Sequence, residues 1–454
     1  MAKRQTDLGK DKIGGLIIRL AVPSIAAQLV NALYNIVDRI YIGHIDVIGS
    51  TALTGVGVTF PLILIISAFS ALIGMGGAPR AAIKMGAGDN EGAEKILGNC
   101  TSVLIGLSVV LTTVFMIFRD PLLMAFGASE NTIGYASDYM EIYLIGTISV
   151  QLALGLNSFI STQGFATISM ATVLIGAVTN IVLDPVFIYG FNMGVKGAAI
   201  ATILSQTLSA IWVVIFLTGK KTKIKIKLSN FKPERKVIFP ALALGLSPFI
   251  MQSTESLVVV TLNSSLQGYG GDLAVGAMTI ISSIMQLVYL PMQGLAQGAQ
   301  PIISYNYGAG NKERVKKAFK MFITISLSYS VVMWLFVMLL PQLLVRIFTS
   351  DAQLMETASW ALRIYMAGIF ALGAQTACQQ TFVSLGQANV SIILALLRKI
   401  ILLIPLVYIL PLFLADKVLG VFLAEPFADV IAATVTTIVF AVKFPKILKN
   451  KVID

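Results

Sequence analysis

Asp184 stands inside an apolar stretch of about 26 residues, Phe165 to Gly190, with Asn180 one helical turn before it and Pro185 directly after it. A carboxylate at the centre of a bilayer costs about 2.5–3.5 kcal/mol on insertion scales. A chain keeps one only where it faces protein, water or an ion. Spaced i and i+4, Asn180 and Asp184 stack on one helix face. Pro185 donates no backbone hydrogen bond and pushes Asp184 away from ideal helix geometry, which would free carbonyl oxygens beside the carboxylate. Carboxylate, amide and carbonyl oxygens are hard ligands suited to Na⁺, and the acid could equally hold a proton. A structural cap or a buried hydrogen-bonded pair is the plainer alternative. Thr202, in the next apolar stretch, could add a hydroxyl.

Other polar residues recur at helical spacing in apolar surroundings. Gln28, Asn31, Asn35 and Asp38 follow one another at steps of 3, 4 and 3 and occupy an arc of roughly 80°. That face lines a cavity, or else Asp38 lies at the outer interface and pairs with Arg39. Gln252, Glu255 and Asn263 share a face further along. Gln286, Tyr289, Gln293, Gln297 and Gln300 again fall within roughly 80°, and Gln375 and Gln379 are one turn apart. Glutamine stripes commonly join helices. Glu255 differs in being charged when unpaired, which makes it a candidate for a cationic substrate or a second cation. Gln252, Gln28, Asn31, Asn35, Tyr289 and Gln293 are the accompanying substrate candidates.

These residues need helices that span a membrane. Of 454 residues, 56% are hydrophobic and 12% charged, against about 25% charged in soluble domains. Twelve helices are expected at roughly 14–40, 55–78, 96–118, 133–157, 165–190, 195–218, 237–264, 275–297, 318–340, 356–383, 391–414 and 418–443. Their loops alternate in charge. Basic residues fall at the termini (Lys3, Arg4, Lys10, Lys12; Lys443, Lys446, Lys449, Lys451) and in every second loop: Arg80, Lys84 and Lys95; the dense run Lys220 to Lys236; Lys312 to Lys320; and Arg398 with Lys399. The positive-inside rule then places both termini in the cytoplasm, in a multi-pass protein of the plasma (inner) membrane. The net charge of +11 belongs to these loops, which argues against a nucleic-acid partner. The run at 220–236 is an orientation signal and linker, or a binding site for anionic lipid. Cys100 and Cys378 lie in apolar runs and His44 is the only histidine, so no disulfide or metal framework follows.

The chain repeats itself. Gly76-Gly77-Ala78-Pro79, Gly86-Ala87-Gly88-Asp89-Asn90-Glu91 and Lys95 return 222 residues later as Gly298-Ala299-Gln300-Pro301, Gly308-Ala309-Gly310-Asn311-Lys312-Glu313 and Lys317. Each copy is expected just after the second helix of its half, and Pro23 and Pro248 interrupt the first. An even number of helices per copy gives two parallel six-helix bundles related by a pseudo-two-fold along the membrane normal, enclosing a central cavity. The fold class is therefore an all-α polytopic membrane protein. Its amino-terminal bundle spans 1–218, its basic linker 219–236 and its carboxy-terminal bundle 237–454. Pro23, Pro185 and Pro248 are the hinge candidates.

Two six-helix repeats, each carrying Pro-x(6)-Gly-Ala-Gly, together with Asp38 and Asn180-x-x-x-Asp184-Pro185, resemble the multidrug and toxic compound extrusion family over essentially the whole chain. In detail the sequence is similar to the branch typified by the staphylococcal MepA-like exporters. The resemblance implies export of amphipathic, often cationic drugs and dyes in exchange for Na⁺ or H⁺, with no cofactor and no metal beyond Na⁺. It also implies a cation site of Asp38, Asn180, Asp184 and Thr202, and a helix-seven acid matched by Glu255. Some members pair that acid with an Asp in helix ten, where this chain has only Gln375 and Gln379. The protein is expected to act as a monomer and not as an enzyme, and since no Gly-Lys-Ser/Thr phosphate loop is present, ATP is not expected to be its energy source. A lipid-linked precursor flippase is the alternative. It would need a strongly cationic cavity, and Arg19, Arg39 and Arg363 are the notable basic residues read inside the spans.

Overall fold

The computed structural model describes residues 6–45 and 49–449; the basic residues Lys3, Arg4 and Lys451 lie outside them. Every regular element among the described residues is helical. The first half contains α1 (Ile13–Gly43), α2 (Gly49–Gly86), α3 (Asn90–Ile117), short α4 (Arg119–Ala125), α5 (Ile133–Ile145), α6 (Thr147–Thr162), α7 (Ala166–Pro185) with a π-turn Val186–Gly190, and α8 (Gly194–Thr218). The second contains α9 (Arg235–Gly308), α10 (Lys312–Leu339), short α11 (Pro341–Arg346), α12 (Ala352–Tyr365), α13 (Leu372–Ser384), α14 (Ala388–Leu396), a π segment Leu397–Leu403, α15 (Ile404–Phe413) and α16 (Lys417–Lys449). Each half thus has the same order of elements, down to a short helix after its third span and a π segment in its fifth.

Among the described residues nine helices are long and apolar enough to cross a membrane, or eleven when the bent pairs α5–α6 (60°) and α12–α13 (43°) count as one span each. α9 supplies two. Its Gln252 and Tyr289 line one cavity of about 260 Å³, yet a straight helix would hold them about 55 Å apart at 1.5 Å per residue. The chain reverses at Gly271, whose φ of 61° and ψ of −159° only glycine adopts readily. This gives the twelve spans expected.

The repeated glycine motif has a different place from the one expected. Gly76 to Pro79 lies inside α2, and Gly298 to Pro301 inside α9. Both helices run on past their prolines, because packed neighbours can satisfy the backbone groups a proline leaves free. Only the second part of each motif stops a helix. Gly88 (φ 84°) and Gly310 (φ 69°) make the left-handed turn. Asp89 and Asn311 then cap the next helix, accepting from Gly92 N at 2.7 Å and Arg314 N at 3.2 Å.

The Gly92 N–H, with Lys84 close by, holds the Asp89 carboxyl below its ordinary value. A depressed acid stabilises the fold above its unfolded value of about 3.9, and the contribution is lost as pH falls through the lower folded value. Asp89→Ala is expected to cost about 1 kcal/mol at neutral pH and to weaken the acid limb of the stability profile below about pH 4. Thermal unfolding in detergent across pH checks both.

The two halves meet through α2 and α9. A Cβ on Gly86 would lie 1.9 Å from the Tyr305 carbonyl, and one on Gly308 would lie 1.9 Å from the Ile83 carbonyl. The two crossings are the same contact repeated at the 222-residue spacing. Gly76 and Gly245 make similar approaches to Ala241 and Leu72 carbonyls. One end of the molecule is closed by these backbone-to-backbone crossings. Gly86→Ala or Gly308→Ala is expected to cost that closure about 1–3 kcal/mol by overpacking. Thiol labelling of an Ala241→Cys reporter, buried where Gly76 meets the Ala241 carbonyl, should then rise, and unchanged labelling would show that the crossings do not hold the face shut.

The segments leading into each half are fastened as well. Asn306 Nδ2 and Arg314 Nη2 donate to the Leu8 carbonyl at 2.9 and 3.0 Å, and Arg314 Nη2 to the Asp11 carbonyl at 2.7 Å. At the 222-residue equivalent of Leu8, the Asn230 carbonyl accepts from Asn99 Nδ2 at 2.9 Å, and Asn99 Oδ1 accepts from Glu234 N at 2.6 Å. Lys227 pairs with Glu94 at 2.5 Å, and the backbone N–H groups of Lys223 and Ile224 donate to Gln163 Oε1 at 2.7 and 3.1 Å. The basic run is therefore docked on α3 and α6 while Lys220, Lys221, Lys232, Arg235 and Lys236 stay exposed.

Candidate functional site

α1, α7 and α8 bring Asp38, Asn180, Asp184 and Thr202 together. Asn180 Nδ2 donates to Asp184 Oδ1 at 3.2 Å and to Thr202 Oγ1 at 3.4 Å. The Asp38 and Asp184 carboxyls are neighbours in this group. Asn180 and Asp184 are fully buried. Around them stand three residues that sequence reasoning missed. Tyr139, on α5, lies beside Thr202, and Tyr34 lies beside Gln206. Tyr34 is one turn before Asp38 and Gln206 one turn after Thr202, so helical spacing could have found both; nothing in the sequence ties Tyr139 to the group.

Three oxygens of this cluster, Asp38 Oδ1, Asn180 Oδ1 and Asp184 Oδ2, are buried and have no hydrogen-bond partner. Both amide hydrogens of Asn180 are directed at Asp184 and Thr202, which turns its oxygen away from them. Hard oxygens left unsatisfied at this depth fit a small cation or a proton. Pro185 ends the α-helical geometry of α7, and the π-turn after it is tied to the end of α1 by Tyr189 Oη donating to the Tyr41 carbonyl at 2.7 Å. Pro23 and Pro248 both lie inside continuous helices, α1 and α9. Arg39 stacks over the Phe60 ring at 5.3 Å.

The second group of candidates surrounds a different space. Gln28, Gln252, Tyr289 and Gln293 line the cavity of about 260 Å³ together with Gln375, Gln379 and Met251. Asn31 and Asn35 are exposed and do not line it; the Asn35 amide donates instead to the Asn31 carbonyl at 2.7 Å.

Two expectations are corrected here. Arg398 and Lys399, assigned above to a loop, sit in the π segment within the eleventh span, buried, and line the cavity. Arg398 donates from Nη2 to Glu425 Oε1 at 3.0 Å and from Nε to Asp429 Oδ1 at 2.6 Å. Lys399 Nζ donates to Glu255 Oε2 and, at 2.8 Å, to the Met251 carbonyl. Glu255 is therefore a paired acid, not an uncompensated one. The basic pair mimics a loop in sequence because its partners lie 27 to 148 residues away. α8 and α16 bury equivalent positions at a spacing of 223 residues, as at Gly197 and Gly420 or Ala201 and Ala424. By that spacing Glu425 stands where Thr202 does, and Asp429 where Gln206 does.

The comparison that decides the family covers both halves separately. The MatE family profile matches residues 23–186 and again 248–409. The chain belongs to the MatE family. Among curated relatives, this MatE chain is 25% identical over 395 residues to the multidrug export protein MepA of Staphylococcus haemolyticus (strain JCSC1435), covering 87% of this chain and 86% of that protein. Among solved structures it is similar to a crystal structure of MATE in the straight conformation, with TM-score 0.91 and 26% identity over 99% of this chain and 100% of that one. An outward-facing conformation of a multidrug resistance MATE family transporter of the MOP superfamily matches with TM-score 0.90 and 26% identity over the same shares. The chain is thus a multi-pass membrane transporter of the MATE multidrug exporter family, similar to MepA-like members.

Proposed function

We propose that this MATE-family transporter exports amphipathic, often cationic drugs and dyes across the plasma membrane by alternating access, in exchange for Na⁺ or H⁺. The observation that carries the exchange is the set of three unpartnered buried oxygens on Asp38, Asn180 and Asp184. Two neighbouring carboxylates cannot both ionise cheaply without a cation between them. A Na⁺ or a proton relieves the repulsion and draws α1 toward α7. Yielding at Pro23, Pro185 and Pro248 then reshapes the cavity and releases drug outward; cation release inside resets the carrier. If the two acids couple strongly, their titration belongs to the pair. In this reading residues 1–218 and 237–454 are the moving bundles, 219–236 joins them, both termini are cytoplasmic, and the carrier works as a monomer with no cofactor.

The alternative, flipping of a lipid-linked precursor, gains Arg398 and Lys399 in the cavity wall but loses them again, since both are neutralised by Glu425, Asp429 and Glu255. A pyrophosphate head group would find no free cation there. Dye efflux from vesicles, driven by an imposed Na⁺ gradient at fixed pH or by a pH gradient without Na⁺, tests the reading. A response to neither removes antiport.

A further inference from the structure

The ion pairs bordering the cavity are unequal. Arg398 is fixed across two carboxylates by a planar fork. Lys399 is a point charge on a flexible stem with rotatable donors. Its side chain is 9% exposed, whereas that of its partner Glu255 is 56% exposed. A second carboxylate belongs to the same group: Glu425 Oε1 is held at 3.0 Å by Arg398, the residue next to Lys399 in the chain, while its Oε2 is buried with no hydrogen-bond partner. The group holds three acids (Glu255, Glu425, Asp429) against two bases (Arg398, Lys399). It can therefore take on one further positive charge without becoming net cationic.

We propose that Lys399 is a tethered cation that holds Glu255 while no cationic substrate is present, and that it moves onto Glu425 when such a substrate claims Glu255. This rests on the export reading above and adds what sets its selectivity. In the empty carrier the tether keeps Glu255 from being an uncompensated charge. A monovalent organic cation gains Glu255 only by displacing an intramolecular competitor, whose effective concentration is in the millimolar range for short flexible links. A neutral amphiphile, held by the glutamines and Met251, does not meet that competition. Lys399 thus lowers the carrier's preference for cations over neutral compounds of the same shape.

Binding to the purified full-length transporter in detergent tests this, with tetraphenylphosphonium as the cation and triphenylphosphine oxide as the neutral probe. Lys399→Gln is expected to bind the cation about tenfold more tightly, the factor that 1.4 kcal/mol of removed competition gives, with neutral affinity unchanged. Lys399→Arg keeps the charge and should keep the wild-type ratio. Glu425→Gln removes the second acceptor and should weaken cation binding alone, and Glu255→Gln should abolish the difference between probes. Unchanged cation affinity in Lys399→Gln, or equal weakening of both probes, overturns the proposal. If that variant does not fold, a Glu425→Gln protein with wild-type cation affinity overturns it instead. Failure of the wild-type protein to bind either probe would sink the export reading itself.

Discussion

Asp184→Asn is expected to abolish ion-driven efflux while the transporter still folds and binds drug within a few-fold of wild type. The substitution keeps the shape of the side chain and the hydrogen bond from Asn180, and removes only the charge. Truncating one partner of a buried hydrogen-bonded charge costs about 2–5 kcal/mol, and each 1.4 kcal/mol is about tenfold. Coupled transport should therefore fall by about 30-fold or more. Asp38→Asn should do the same, and the double variant little worse, because groups acting as a unit are not additive. Drug binding is spared because neither acid lines the cavity of Gln252, Tyr289 and Gln293. One charge moved through 100 mV is worth about 2.3 kcal/mol, a roughly 40-fold gradient of a neutral drug. Loss of that gradient in proteoliposomes is the readout. Wild-type efflux from either single variant would remove both residues from coupling.

Arg398→Met is expected to be the most damaging single change to stability. It leaves Glu425 and Asp429, 4% and 2% exposed, facing one another with their shared cation gone. Breaking a buried pair in this way costs about 3–5 kcal/mol, whereas replacing the whole set with neutral residues is often tolerated. The triple variant Arg398→Met, Glu425→Gln, Asp429→Asn should therefore recover most of what the single one loses. Apparent melting temperature and detergent-soluble yield measure this. A triple variant no better than the single would mean that Arg398 acts through packing rather than charge.

The contrast between these two groups explains what the sequence could disclose. Asn180 and Asp184 are one turn apart on one helix, and Asp38 ends a stripe with helical spacing, so local periodicity pointed to residues that the structure brings together. The spans and their repeat were legible for the same reason: length, hydropathy and fixed offsets are local quantities. Arg398 and Lys399 were not, because what makes a basic residue tolerable inside a span is a partner from another helix. The glycine motif showed its spacing but not its work. That Gly86 abuts the Tyr305 carbonyl depends on how α2 and α9 cross. The π segments, set beside Pro185 and Pro405, likewise leave no periodic trace.

The reciprocal fastening of the two entry segments has a mechanical outcome. Leu8 and Asp11, which lead into α1, are gripped by Arg314 and Asn306 of the second half; Asn230 and Glu234, which lead into α9, are gripped by Asn99 of the first. Each half therefore carries the other's doorstep. To part at this end, the carrier must stretch or surrender both grips at once, on top of both glycine crossings. Parting at the opposite end disturbs neither. The energy landscape is tilted, and the undriven carrier should idle with this end shut, spending its waiting time exposed to the far side of the membrane.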